Sequence, residues 1–234
     1  MMLIKDYIFY LLKELREKIY YLNYKPRERK LIIKNVPYFS QWESRELVRD
    51  IIDGKISAQN DPLWSNSGAK NKSEYELWSW NACGMACLKM VLMYKFKKNY
   101  LIVELGKGCE KFGGYVKRGK DVLDGLYYKP FIRFAKEKFN LDVKVASPMV
   151  MADVIKEMER GNFVITSVSY EIRNPTNTIS FRGGHLVLVV GYDFDNQTLY
   201  VHNPSGTSKN TQEYAKISFP DFNKLFAYRG IVIS

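Results

Sequence analysis

From Ala82 to Met93 the apolar residues Ala82, Met85, Ala86, Leu88, Met90, Val91, Leu92 and Met93 fit a helix that is buried rather than one that floats on a surface. The rest of the fold must then close around it. Asn81 precedes the run as an N-cap candidate, which sets Cys83 in the first turn. Unpaired backbone N–H groups there carry partial positive charge and favour the thiolate, the form of cysteine that attacks carbonyl carbon. Cys87, one turn further in, reads as a packing residue.

A chain of 234 residues with 46% hydrophobic content can bury one sizeable core. The expected organisation is an N-terminal amphipathic helix and linker over residues 1–30, then one main domain over 31–234. In the first part Ile4, Ile8, Leu11, Leu12, Leu15, Ile19 and Leu22 share a helical stripe, and the proline-broken polar stretch 24–30 reads as the linker. That helix is suited to packing on the domain, to self-association, or to contact with an anionic membrane surface. It could also act as a pro-segment.

Three cysteines, at 83, 87 and 109, cannot pair completely, and no two have the C-x-x-C spacing of a zinc site. A free reactive thiol in a reducing compartment fits this better than a disulfide scaffold. The apolar run from Tyr7 to Leu12 is cut short by Lys13, unlike a secretory signal, and no run approaches the length needed to cross a bilayer. A soluble cytoplasmic protein is expected. The net charge of +11 favours encounter with an anionic partner, although the lysines and arginines are spread along the chain as on a solvated surface.

Further along, 31–33 and 36–39 read as extended and 45–52 as helical. Residues 53–73 read as a long loop, functional or mobile, bordering the site. Tyr100 to Leu105 reads as a short helix or turn, and 106–125 as an irregular, flexible connection without the full pattern of a phosphate-binding loop. Helices are expected at 127–139 and 148–160, the latter ended by Gly161, with strands at 141–145, 163–168, 186–192, 199–201 and 231–233. The turn at 195–198 joins two of these strands as an antiparallel hairpin. Helices first and strands second predict an α+β fold, with an N-terminal helical half packed on an antiparallel sheet.

The chain has two histidines. His185 follows Gly183-Gly184 and stands at the mouth of the strand Leu186–Tyr192, a suitable place for a general base, with room for close approach over the glycines. The hairpin brings the end of its return strand, His202-Asn203, beside His185. A side-chain amide there can accept a hydrogen bond from the imidazole and orient it toward Cys83, the logic of nucleophile, base and orienter. His202 alternates to the opposite face and reads as structural. Gln41 could supply an N–H to an oxyanion together with the backbone N–H of Cys83. Trp42, Trp64, Trp78 and Trp80 flank these residues in sequence, either lining a groove or packing in the core.

The motifs Asn35-Val36-Pro37-Tyr38-Phe39-Ser40-Gln41, Ala82-Cys83-Gly84-Met85-Ala86-Cys87, Gly184-His185-Leu186-Val187-Leu188-Val189-Val190-Gly191-Tyr192-Asp193 and Val201-His202-Asn203-Pro204 together resemble the peptidase C39-like family of papain-fold cysteine peptidases. The resemblance implies Cys83 as nucleophile, His185 as base and then acid, Asn203 as orienter and Gln41 as oxyanion donor. Asn203 stands where the family often has Asp, and Met85 where it often has Pro. The expected function is cleavage of a peptide or isopeptide-type amide in a peptide or protein substrate, through a thioester and with no cofactor or metal. Acyl transfer by the same triad, or an inactive binding module with a basic surface, are the alternatives.

Overall fold

The computed structural model describes residues 24–234 apart from 120–121, 176–177 and 180, together with residues 8, 11, 12 and 15. The helix expected over 3–24 lies outside the described residues except at those last four positions, which are helical and exposed. Residues 24–29, expected as a linker, run along the domain. The Glu159 carboxylate accepts from the Tyr24 hydroxyl (2.9 Å) and from the backbone N–H of Glu28 (3.2 Å).

In chain order the elements are β1 (Lys30–Ile32), α1 (Val48–Ile52), α2 (Lys72–Ser79), α3 (Cys83–Phe96), α4 (Ile102–Glu110), α5 (Tyr128–Phe139), β2 (Val143–Ala146), α6 (Met151–Glu159), β3 (Phe163–Val168), β4 (His185–Asp193), β5 (Thr198–His202), α7 (Lys209–Gln212), β6 (Ala215–Ser218), α8 (Phe219–Leu225) and β7 (Phe226–Ile233). Among the described residues the strands form one antiparallel sheet in the order β2-β7-β3-β4-β5-β6. β1 pairs with the far end of β4, Lys30 opposite Asp193 and Ile32 opposite Gly191.

β4 explains the layering. All nine of its residues are buried, and successive side chains on a strand point to opposite faces. Leu186, Leu188 and Val190 join the core that contains α3, whereas Val187 and Val189 join a second core with α6 and α8. The fold is therefore α+β with helices against an antiparallel sheet, and α6 and α8 add a layer on the far face.

Two segments differ from the sequence reading. The stretch 53–73 is neither free nor part of the main cleft. Short 3-10 turns at Ala58–Asn60 and Trp64–Ser67 fold it, and buried Asp61 pins it by accepting from the Ser44 backbone (3.1 Å), the Leu63 backbone (2.9 Å) and the Tyr75 hydroxyl. The glycines at 106 and 108 lie inside α4 instead of a flexible connection. A Cβ on Gly106 would meet the Trp78 ring at 2.5 Å, so this glycine serves helix packing.

Candidate active site

Cys83 opens α3, the helix whose core residues are buried on every side. Ala82 takes the N-cap position with no side-chain bond, and Asn81 instead donates to the Leu77 carbonyl (2.9 Å). The Cys83 thiol is half-buried and lines a cleft of about 880 Å³, shared with Trp80, Leu126, Tyr170 and His185. Burial pushes its pKa up, opposed by backbone N–H groups of Leu186 and Gly84 and by the Arg173 charge. The helix-terminus expectation of a favoured thiolate is thus corrected: desolvation outweighs it. Cys87 and Cys109 are fully buried and free.

His185 begins β4, opposite Val168 at the end of β3. Its Nε2 lies 2.8 Å from Asn203 Oδ1 and 3.0 Å from Ser205 Oγ. Asn203 Oδ1 also accepts from the Ser205 backbone N–H (3.1 Å), which fixes the amide orientation. An acceptor at that point requires Nε2 to carry the proton. Nδ1 is then left with its lone pair, buried and without a hydrogen-bond partner among the described residues. Burial first, and the Arg173 charge second, hold the His185 pKa down to about 3.

Asn203 reaches His185 because β4 and β5 form the expected hairpin, with His202 opposite Leu188. His202 faces away and is saturated. Its Nδ1 accepts from the Tyr214 backbone (3.0 Å) and its Nε2 donates to the Val36 carbonyl (3.0 Å). Gln41 is buried but does not line the cleft. Its Nε2 donates to the Ser79 carbonyl (2.7 Å), at the turn just ahead of Cys83, and its Oε1 has no partner among the described residues. Of the four tryptophans only Trp80 lines the cleft, while Trp42 and Trp78 are buried in the core.

Three residues escaped the sequence reading. Arg173 Nε donates to Ser205 Oγ (2.9 Å), completing a chain from guanidinium to hydroxyl to imidazole. Arg173 ends a 3-10 turn, Tyr170–Arg173, that follows β3, so the β3–β4 pairing delivers it. Tyr170 in the same turn stacks on the His185 ring, with centroids 5.7 Å apart. The room left by the two glycines is taken by protein: a Cβ on Gly184 would meet Tyr170 at 2.8 Å, and one on Gly183 would meet Arg229 Nη2 at 2.9 Å. Ser205 had a local signal, since a serine two residues after an asparagine commonly closes a turn on it.

The turn holding Asn203 and Ser205 is packed hard against α7. A Cβ on Gly206 would meet the Thr211 carbonyl oxygen at 2.2 Å, and backbone cannot give way as a side chain can. Gly206→Ala is therefore expected to destabilise the protein by about 2–3 kcal/mol. Urea unfolding of the variant against wild type measures it.

Among the described residues no three His, Cys, Asp or Glu side chains gather as a metal site, and no helix is long and apolar enough to cross a membrane. In structural comparison the chain resembles a Bacillus anthracis protein assigned as a C39-like peptidase, at 15% identity and a TM-score of 0.53, over 88% of this chain and 98% of that one. A second similar structure is the peptidase domain of Streptococcus ComA, a bifunctional ABC transporter involved in a quorum-sensing pathway, at 14% identity and a TM-score of 0.43, over 66% and 91% of the two chains. No curated protein matches the sequence. The family model described as the Peptidase_C39 like family matches residues 33–232, and the chain belongs to that family.

Proposed function

We propose that this chain is a cysteine hydrolase that cleaves a peptide or isopeptide-type amide, with Cys83 as nucleophile and His185 as base. The observation carrying the reading is the state of the imidazole. Its Nε2 side is held by Asn203 and Ser205, while the Nδ1 lone pair is unclaimed and the ring lines the same cleft as the Cys83 thiol.

In the proposed reaction, Nδ1 takes the thiol proton as sulfur bonds to the substrate carbonyl carbon and the carbonyl electrons move onto oxygen. The Cys83 backbone N–H stabilises that oxyanion. Collapse breaks the C–N bond, and the amine leaves with the proton from Nδ1. Water, deprotonated by His185, then attacks the thioester and releases the acid, returning the proton to sulfur. Asn203 keeps the ring in register throughout. Being neutral, it stabilises imidazolium less than a carboxylate would.

With the thiol pKa raised and the imidazole pKa lowered, the resting pair is neutral thiol and neutral imidazole. Iodoacetamide should label Cys83 ahead of buried Cys87 and Cys109. Because His185 rather than solvent takes the thiol proton, peptide turnover should change little between pH 7 and 9. Equal labelling of the three thiols, read by peptide mass spectrometry, would overturn the assignment of the nucleophile. A rate climbing about tenfold per pH unit would mean instead that only the free thiolate reacts and that His185 does not act as its base. Added amine nucleophiles separate hydrolysis from acyl transfer: a hydrolase yields the free acid as its main product.

A further inference from the structure

The substrate class is written in the charge of the cleft. Its lining includes Arg229 and Lys129, both exposed, and no Asp or Glu among the described residues. Asp124, next to the lining residue Gly125, is already taken by Arg118 (2.9 Å) and the Tyr127 hydroxyl (2.9 Å). Neither Arg229 nor Lys129 has an ion-pair partner among the described residues.

Arg229 is aimed there by the backbone. Pairing between β3 and β7 shifts register between Thr166 and Val168, and Tyr228 takes a left-handed conformation (φ 53°). Such irregularities re-aim side chains beside functional sites. Arg229 is the only residue of β7 that is exposed. Its guanidinium lies against Gly183, two residues before His185: a Cβ there would come within 2.9 Å of Nη2. A guanidinium presents a planar fork that matches a carboxylate in two parallel hydrogen bonds. Trp80, Tyr127, Tyr128 and Tyr170 supply apolar walls that strengthen its field.

We propose, resting on the peptidase reading, that the cleft selects peptides carrying a carboxylate side chain close to the bond that is cut, with Arg229 as the recognising residue and Lys129 reinforcing it. Equilibrium binding to the Cys83→Ala protein tests this without turnover. The probes are rhodamine-labelled Ala/Leu hexapeptides with one position in turn set to Glu, Gln or Lys, followed by fluorescence anisotropy at low salt. At one or two positions Glu is expected to bind about tenfold more tightly than Gln, with Lys weakest. Arg229→Gln should erase the Glu/Gln difference and Lys129→Gln should reduce it.

Equal affinity for Glu and Gln at every position, no binding by any peptide, or a Glu preference that survives Arg229→Gln would each overturn the proposal. The same peptides on the active chain keep the two readings apart. Glu and Gln peptides cleaved with equal KM would sink the specificity and leave the peptidase. A Glu preference in binding, with no peptide cleaved and Cys83 unlabelled, would sink the peptidase and leave the specificity.

Discussion

Cys83→Ala and His185→Ala are each expected to lower peptide hydrolysis by about 10³-fold or more, with little change in KM. In a thiol–imidazole pair neither partner does chemistry without the other, so the double variant should be no worse than either single one. Asn203→Ala should cost less. The imidazole would keep Ser205 Oγ, 3.0 Å from Nε2, as a substitute partner, and a loss of about 10- to 100-fold is expected. Steady-state kinetics on a fluorogenic peptide decides the matter. Additive losses in the double variant would mean that the two residues do not act as a unit.

The second large effect concerns acid. His185 is buried with its pKa held to about 3, against an ordinary value of 6.5. Above pH 6.5 the ring is neutral in both folded and unfolded chains and contributes nothing to pH dependence. Below it the unfolded chain binds a proton that the folded one refuses, so stability falls as pH drops, up to about 1.4 kcal/mol per unit, until the folded pKa is reached. Over the whole window this is on the order of 4 kcal/mol, with buried His202, also shifted down, adding in the same direction. Lowered carboxylates such as Asp193 lose their contribution only below their own unfolded values near 4, so the loss of stability between pH 6.5 and 5 comes from the histidines, opposed by Glu43, whose carboxyl is raised by burial. Urea unfolding at pH 6.5 and 5.0 should show a steeper drop for wild type than for His185→Gln. Identical slopes would mean that the ring is solvated.

What the amino-acid pattern revealed was set by periodicity. The helix begun at Cys83 and the strand Leu186–Tyr192 declare themselves because both are apolar on every side, and the short turn between β4 and β5 fixes which residue ends up beside His185. α2 stayed hidden because its segment is mostly polar. Tyr75 and Trp78 are its large buried side chains, too few to raise a stripe above the surrounding loop. Gly106 misled because helix propensity argues against glycine, whereas the bulk of Trp78 demands it. Arg173 was out of reach for another reason. It meets Ser205 across a sequence separation of 32, through the pairing of β3 with β4, and no local signal announces that pairing. Burial also reversed the expectation for the thiol: a helix terminus can be read from a sequence, but the desolvation around it depends on what the rest of the chain lays on top.

The proposed reacting pair sits at the tips of two deeply covered elements, sulfur on a helix whose middle turns are buried within one core and imidazole on a strand sandwiched between two. Segments of that kind exchange their amide hydrogens only when the entire domain opens. Partial fraying at the edges should therefore leave the cleft intact, and heating should extinguish turnover and tertiary structure in a single step.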